Sequence, residues 1–577
     1  MQHSDGSRVF RRLAAGAAGI TALFMLAAFT MAPDYVPSAL NYSMSRYLFV
    51  RQDLAVGLVT VAALLLVAWQ PGLTRPQAQM PRPWSVAFIT AVVMMFLCWI
   101  GARLVFDRFD FSRDEQMASF DAIIFASGRL YAAFPPDARD TAAIFNQTFI
   151  LPIGNHEAWV SAYLPMNAAI RAVFLRLGDA TLTGPLFVGL GAIALWRIGA
   201  RLWPRSAASQ IVALLLYVGS SQIWLTGMTA YAMSAHLGLN LLWLWLFLKD
   251  RPWAHAMAIT VGLVATGLHQ PLFHPLFVLP FLMMLAATKR WRLLALYCAL
   301  YGAIGLLWLG WPLWISAHGI APVAPSATVP GVGYVERFMH AATGLRAWGV
   351  GVMAANLVRF IAWQHLLLLP LAGYGVYRCW NADPIARALA LGLILPIALL
   401  LVMMPYQGHG WGYRYMHGLI GNACLLGGYG WSRLEEKGQA PFGAMFASTL
   451  ASLAVILPLH TIMAHQMVAP VAAIAATRDA TKADYVVVDD LAAPFAQDLV
   501  TNRPDLDNRP LVLAGGELTP AALTVLCVRG SIAFLDAAHL GGLSKAFGAA
   551  APAPTPAYAA LEEAARTVGC RVGELPN

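Results

Sequence analysis

Charge is scarce in this chain. Of 577 residues only 12% are Asp, Glu, Lys or Arg, against 59% hydrophobic, and soluble domains carry roughly twice that charged fraction. Together with a mean hydropathy of +0.62, this excludes an ordinary soluble domain and reads as a polytopic membrane protein. Acid is scarcer still, 29 residues against 38 basic ones, for a formal net charge of +9. The Lys and Arg residues fall in short turns between apolar runs, without a basic stripe or a recognition motif, which speaks against a nucleic-acid partner. The six cysteines show no zinc or iron–sulfur spacing: Cys98, Cys298, Cys379 and Cys424 sit in apolar runs as small core residues, and Cys527 and Cys570 can pair if their compartment is oxidising. The tail has no glycine-rich phosphate fingerprint, and no internal repeat is visible.

Apolar runs, by contrast, abound. Thirteen of them, at 11–32, 53–70, 84–106, 182–203, 206–226, 231–248, 254–272, 274–288, 291–315, 363–380, 384–404, 414–431 and 441–463, approach the length that crosses about 30 Å of hydrocarbon. Basic residues sort into alternate connections: Arg8, Arg11 and Arg12; Arg75 and Arg82; Arg197, Arg201 and Arg205; Lys249 and Arg251; Lys289, Arg290 and Arg292; Arg378 and Arg387; Arg433 and Lys437. The positive-inside rule then puts the amino terminus in the cytoplasm. The first run reads as a membrane anchor rather than a cleaved signal, since more spans follow. The loop after 106 and the tail after 463 fall on the outer side.

Three segments interrupt the spans. Residues 107–181 contain two helical patterns, Asp114 to Arg129 with Met117, Phe120 and Ile124 on one face, and Trp159 to Leu177, both expected along the membrane surface. The Pro- and Gly-rich stretch 316–341 is expected as a mobile loop over the site. After His465 strand and helix signals alternate, which reads as a small, largely parallel α/β domain. The expected division is a two-helix membrane extension at 1–82, a transmembrane core at 83–465 and an outer α/β domain at 466–577.

Three clusters carry chemistry. Asp114 and Glu115 open the first large outer loop in the run Phe109-Asp110-Phe111-Ser112-Arg113-Asp114-Glu115-Gln116. Ser112 and Glu115 fit a capping box, which accounts for Glu115 but leaves Asp114 unexplained. The second cluster, Tyr406 to Tyr415, has glycines at 408, 410 and 412 that let backbone approach a ligand, and Arg414 is placed for a phosphate. The competing reading is an interfacial aromatic belt with a snorkelling Arg. His236, His269 and His274 form the third, read as donor contacts at His236 and His269. Metal binding finds no adjacent carboxylate to complete a ligand set. Arg129, Tyr131, His156 and Glu157 are candidates for an acceptor pocket, although Pro135-Pro136 and His156-Glu157 also fit a helix end and a helix start.

The order of these elements resembles the GT-C superfamily of membrane glycosyltransferases, in the branch with protein O-mannosyltransferases, the aminoarabinose transferase of lipid A and lipopolysaccharide-core galacturonosyltransferases. The resemblance lies in the acidic pair Asp114-Glu115, Gly128-Arg129-Leu130-Tyr131 with Pro135-Pro136, the Tyr231 to His236 stretch, and Gly410-Trp411-Gly412-Tyr413-Arg414-Tyr415 before a late helix, over about 84–431. Two spans precede the usual first helix, and His269-Gln270-Pro271 stands where relatives often show Arg-Pro.

The resemblance implies an α-helical, GT-C-like polytopic protein of the bacterial inner membrane, with about thirteen spans, surface helices in the first periplasmic loop and a periplasmic C-terminal domain. It implies inverting transfer of a sugar from a polyprenyl-phosphate donor to an envelope lipid, polysaccharide or protein. Asp114 maps onto the base or acceptor-orienting group with Glu115 in support. Arg414, Tyr415, His409, Trp411, His236 and His269 are then expected at the donor. No cofactor is required; a divalent metal is compatible but not indicated. The alternative is a transporter or lipid flippase, for which ionisable residues belong nearer mid-membrane and repeated halves are expected.

Overall fold

The computed structural model describes residues 3–36, 44–69, 81–145, 148–153, 156–317 and 347–576. The expected loop over the site falls almost wholly between 318 and 346, and Arg75 also lies outside the described residues.

The membrane part is a bundle whose helices meet through small residues, as helices must where hydrocarbon rather than water surrounds them. Leu368–Cys379 packs along Ile420–Glu435, and the closeness is backbone on backbone: a Cβ at Gly375 would fall 2.1 Å from the Leu426 carbonyl oxygen, and one at Gly430 2.1 Å from that of Leu371. Thr183–Leu202 is the central helix, flanked by Pro83–Leu104 and Met233–Lys249. The amino-terminal helix His3–Met31 pairs with Leu54–Trp69, and both lean on Ala347–Ala362, so the first two spans are packed into the bundle.

Seven described helices are long and apolar enough to cross a membrane, or eight if Ala207–Val218 and Ser221–Gly227, bent by 57°, form one span. That is fewer than the thirteen expected, because several apolar runs fold into shorter helices. Pro252–Thr266 and Phe273–Ala287 have 15 residues each, about 22 Å at 1.5 Å per residue. The run at 414–431 opens with a 3-10 segment, Arg414–Leu419, and becomes α-helical only from Ile420.

The segment 107–181 differs from the expected pair of surface helices. Arg113–Ala126 does form a helix, but Met117, Phe120 and Ile124 are buried in a core shared with a small antiparallel sheet, and the opposite face is also largely covered. The second stretch begins as a strand rather than a helix. β1 (Ala132–Ala133), β2 (Ile150–Ile153) and β3 (Ala158–Ser161) lie in the order β1-β3-β2, and helix starts only at Met166–Arg176. Trp159 and Val160 are good strand formers, and all four β3 residues are buried.

The tail carries a three-stranded parallel sheet of β4 (Tyr485–Val488), β5 (Leu511–Ala514) and β6 (Ile532–Leu535), in the order β5-β4-β6. The preceding membrane helix, Leu457–Ala480, runs past residue 465 before the sheet begins. Cys527 and Cys570 form a disulfide with Cα atoms 5.0 Å apart. This unit sits on the segment 107–181 through Trp159, whose indole donates to the Pro504 carbonyl at 2.7 Å.

Candidate active site

Ser112 is extended and caps Arg113–Ala126, while Glu115 completes the capping box. Glu115 Oε2 accepts from the Ser112 amide at 3.2 Å and its hydroxyl at 3.1 Å, and Oε1 takes the Ala230 amide at 3.4 Å. Oε2 therefore closes the helix start on itself, and Oε1 ties it to the segment before Met233–Lys249. Burial and the Asp110 charge push Glu115 up to about 8 against the pull of its hydrogen bonds.

Asp114, the second helical residue, points elsewhere. Its Oδ2 accepts from Arg414 Nη1 and its Oδ1 from the Tyr163 hydroxyl. Burial acts to raise its pKa, but the Arg414 charge, His269 and the Tyr163 hydrogen bond together bring it down to about 2. Asp114 and Arg414, 300 residues apart in sequence, are thus in direct contact rather than on facing walls.

Arg414 leads out of a glycine-rich loop that the bundle grips at several points. The Arg359 Nη2 donates to Gly410 O at 2.5 Å, Gln222 Nε2 to Tyr413 O at 2.9 Å, and Gln407 Oε1 accepts the Arg414 amide at 2.9 Å. Gly408 and Gly412 have φ of +65° and +70°, and a Cβ at Gly412 would fall 2.5 Å from Gln222 Cδ. Gly412 therefore makes room for the protein's own Gln222, where the sequence suggested room for a ligand, and Gly408 serves the left-handed turn.

Two small cavities meet at His269. One, about 20 Å³, is lined by His236, Asn240, His269, Phe273, Arg414 and Tyr415 among others. The other, about 10 Å³, is lined by Asp114, Asp121, Tyr163, Asn167, Tyr231 and His269 among others. Each has room for about one water. Their walls carry buried donors and acceptors without hydrogen-bond partners among the described residues: both ring nitrogens of His236 and of His269, and Nε of Arg414. Tyr163 stacks on His269 with centroids 4.5 Å apart, and burial outweighs the Asp114 charge to bring His269 down to about 4, so it is neutral at pH 7. Such a set of unmet polar groups around one guanidinium calls for an anionic, hydrogen-bonding ligand.

Among solved structures, ArnT from Cupriavidus metallidurans bound to undecaprenyl phosphate matches with a TM-score of 0.50 and 14% identity, over 73% of this chain and 85% of that one. The apo form of the same protein matches with a TM-score of 0.44 and 13% identity, over 72% and 84%. The fold is a GT-C fold. No protein-family model and no curated protein matches the chain.

Within this GT-C fold the predicted site residues part company. Asp114, Arg414, Tyr415, His236 and His269 gather at the two cavities. His409 and Trp411 do not line these two cavities. His409 is wedged among Phe111, Phe495 and Phe547 with centroids 5.2, 4.3 and 5.6 Å away, and Trp411 packs on Phe106 at 5.2 Å. The tail supplies two of those rings. The expected acceptor set is also dispersed and does not form one pocket. Arg129 makes a bidentate, surface ion pair with Asp505 at 2.7 and 2.6 Å, and Tyr131 packs against the outer-loop core. His156 borders a separate cavity of about 470 Å³, while Glu157 faces Arg139 at 3.9 Å. His274 has both ring nitrogens engaged, by Asn240 at 2.7 Å and Tyr301 at 2.8 Å, so it is not free to share a metal with His269.

Sequence reasoning missed Asp121 and Tyr163 at the smaller of the two cavities, and the buried pair Asp53–Arg359, whose charges lie 3.8 Å apart behind the glycine-rich loop. Asp121 had a readable signal: seven residues beyond Asp114, it shares a helix face with it. Asp53 and Arg359 sit in helical apolar surroundings, where nothing in the sequence marked them as partners.

Proposed function

We propose that this protein is a membrane glycosyltransferase that takes a sugar from a polyprenyl-phosphate carrier and passes it to an envelope acceptor at the outer face of the membrane. The observation that carries this is Arg414 buried beside the unpartnered His269 and His236. With Nη1 spent on Asp114, the guanidinium keeps Nε for a phosphate oxygen. The solved GT-C relative holding undecaprenyl phosphate supports the same ligand class.

The leaving group is a phosphate monoester, which gains negative charge as the glycosidic C–O bond breaks. A buried cation already aimed at that oxygen lowers the barrier because it needs no reorganisation when the charge appears. Neutral His269 adds an uncharged donor. Asp114 fixes the guanidinium, and Tyr163 and Glu115 fix Asp114 and the helix that carries it. Single displacement from the face opposite the phosphate gives inversion. The cavities are at present water-sized, so donor entry has to widen them.

The test is sugar transfer by the purified protein from a synthetic polyprenyl-phosphate sugar to extracted envelope glycolipid, following label in the acceptor and free polyprenyl phosphate together. Asp114→Asn is expected to fold and to lose transfer. Full transfer by that variant would remove Asp114 from the site's machinery.

A further inference from the structure

In-line displacement sets a spacing that the Asp114–Arg414 contact does not meet. The cation holding the leaving phosphate and the base taking the nucleophile's proton stand on opposite faces of the sugar. A hydrogen bond on each flank and an attack distance of about 3–3.5 Å place base and cation roughly 9–12 Å apart. Asp114 touches Arg414 and therefore stands on the leaving-group side.

Asp121 is set back from that contact by a separation of this order. It lies two turns beyond Asp114 on the same helix face, a rise of about 10.5 Å at 1.5 Å per residue, and lines the same cavity as Asp114. Both of its oxygens are held by one residue on another element: Oδ1 accepts the Ser161 amide at 2.8 Å and Oδ2 the Ser161 hydroxyl at 2.5 Å. Each oxygen keeps a lone pair. From the surrounding elements Tyr163, Asn167, Tyr231 and His269 border the cavity, and Asp114 is the other carboxylate in it. We propose that Asp121 is the general base of the transfer, and that Asp114 is the positioning residue that holds Arg414.

This rests on the glycosyltransferase reading. As the acceptor hydroxyl oxygen bonds to the anomeric carbon, its proton passes to the Asp121 carboxylate. The bond from that carbon to the phosphate oxygen breaks, and its electron pair leaves with the polyprenyl phosphate beside Arg414. The titration of the two carboxylates agrees with this division. Burial pushes Asp121 up to about 7 against the pull of Ser161, whereas Asp114 is held near 2. A base is most effective when its pKa lies near the working pH.

The experiment is the pH dependence of single-turnover transfer from a synthetic polyprenyl-phosphate sugar, between about pH 5 and 9. In the wild type the rate is expected to rise with pH through a midpoint near 7 and then level off, since the base acts only when deprotonated. Asp121→Asn is expected to lose about 10²- to 10⁴-fold in rate and to show no acid limb, with inhibition by free polyprenyl phosphate unchanged; Asp121→Glu restores part of the rate. Ser161→Ala, which removes one donor to the charged form, moves the midpoint up by about half to one pH unit and tests the assignment even if Asp121→Asn does not fold. An Asp121→Asn rate within threefold of wild type (~0.6 kcal/mol), or an unmoved midpoint in Ser161→Ala, overturns the inference alone. Wild-type protein that transfers no sugar at any pH overturns the glycosyltransferase reading and this inference with it.

Discussion

The contact between Asp114 and Arg414 can be weighed by a double-mutant cycle of Asp114→Asn and Arg414→Gln. Both side chains are 12% exposed, so neither charge is left to bulk water if the other is removed. Asp114 at about 2 rather than its ordinary 3.8 corresponds to folding stability on the order of 2–3 kcal/mol at neutral pH, at about 1.4 kcal/mol per pKa unit. The carboxyl's folded pKa is depressed, so this contribution is present above pH 3.8 and is lost as pH falls toward 2. Breaking a buried pair from one side costs more than the pair contributes, about 3–5 kcal/mol, because an uncompensated charge remains. Arg414→Gln should therefore be strongly destabilising at pH 8 and less so at pH 5, where the stranded Asp114 more readily takes a proton. Unfolding in detergent micelles, followed by denaturant titration, should give a double mutant about 2–3 kcal/mol more stable than the sum of the single losses. Additivity within about 0.5 kcal/mol would mean that the two side chains do not interact.

Three further expectations follow from the same geometry. Arg359→Met removes the anchor on Gly410 and strands the buried Asp53, so denaturant titration should show a loss of about 3–5 kcal/mol; a loss below about 1 kcal/mol would show that the loop does not depend on it. His409→Ala opens a gap in the ring cluster with Phe495 and Phe547 and should cost about 2–4 kcal/mol of stability with donor affinity unchanged, whereas His269→Ala should weaken inhibition by polyprenyl phosphate about tenfold with little change in stability. The reverse pattern would exchange their roles. Glu115→Gln keeps a capping acceptor for Ser112 and should retain transfer within several-fold of wild type in the same assay; a loss as deep as that of Asp114→Asn would give Glu115 a part in the chemistry.

Part of the candidate site could be picked out in the sequence because charge is expensive in an apolar chain. Asp114 at the end of a long apolar run and Arg414 at the start of another were conspicuous for that reason, and the capping box around Glu115 is a local pattern that folds as written. What a single residue type cannot show is its tertiary neighbour. His409 and Trp411 look like ligands beside Arg414, but their surroundings come from Phe495, Phe547 and Phe106. The glycines at 410 and 412 suggest an approaching ligand, yet the approaching atoms belong to Arg414 and Gln222. Arg129 and Glu157 find partners in Asp505 and Arg139, which no local spacing announces. Helix lengths were hard to read for a related reason. A run such as 254–272 is apolar enough for hydrocarbon, and only the fold shows that its helix stops after 15 residues.

The account turns on where the donor phosphate lies, and a structure of the protein with polyprenyl phosphate bound tests that most directly. The phosphate is expected within hydrogen-bond distance of Arg414 Nε, next to His269 and with His236 in the same cavity, while Arg414 Nη1 keeps its contact with Asp114. A phosphate seated away from Arg414, or an Arg414 that leaves the cavity when the lipid binds, would contradict it.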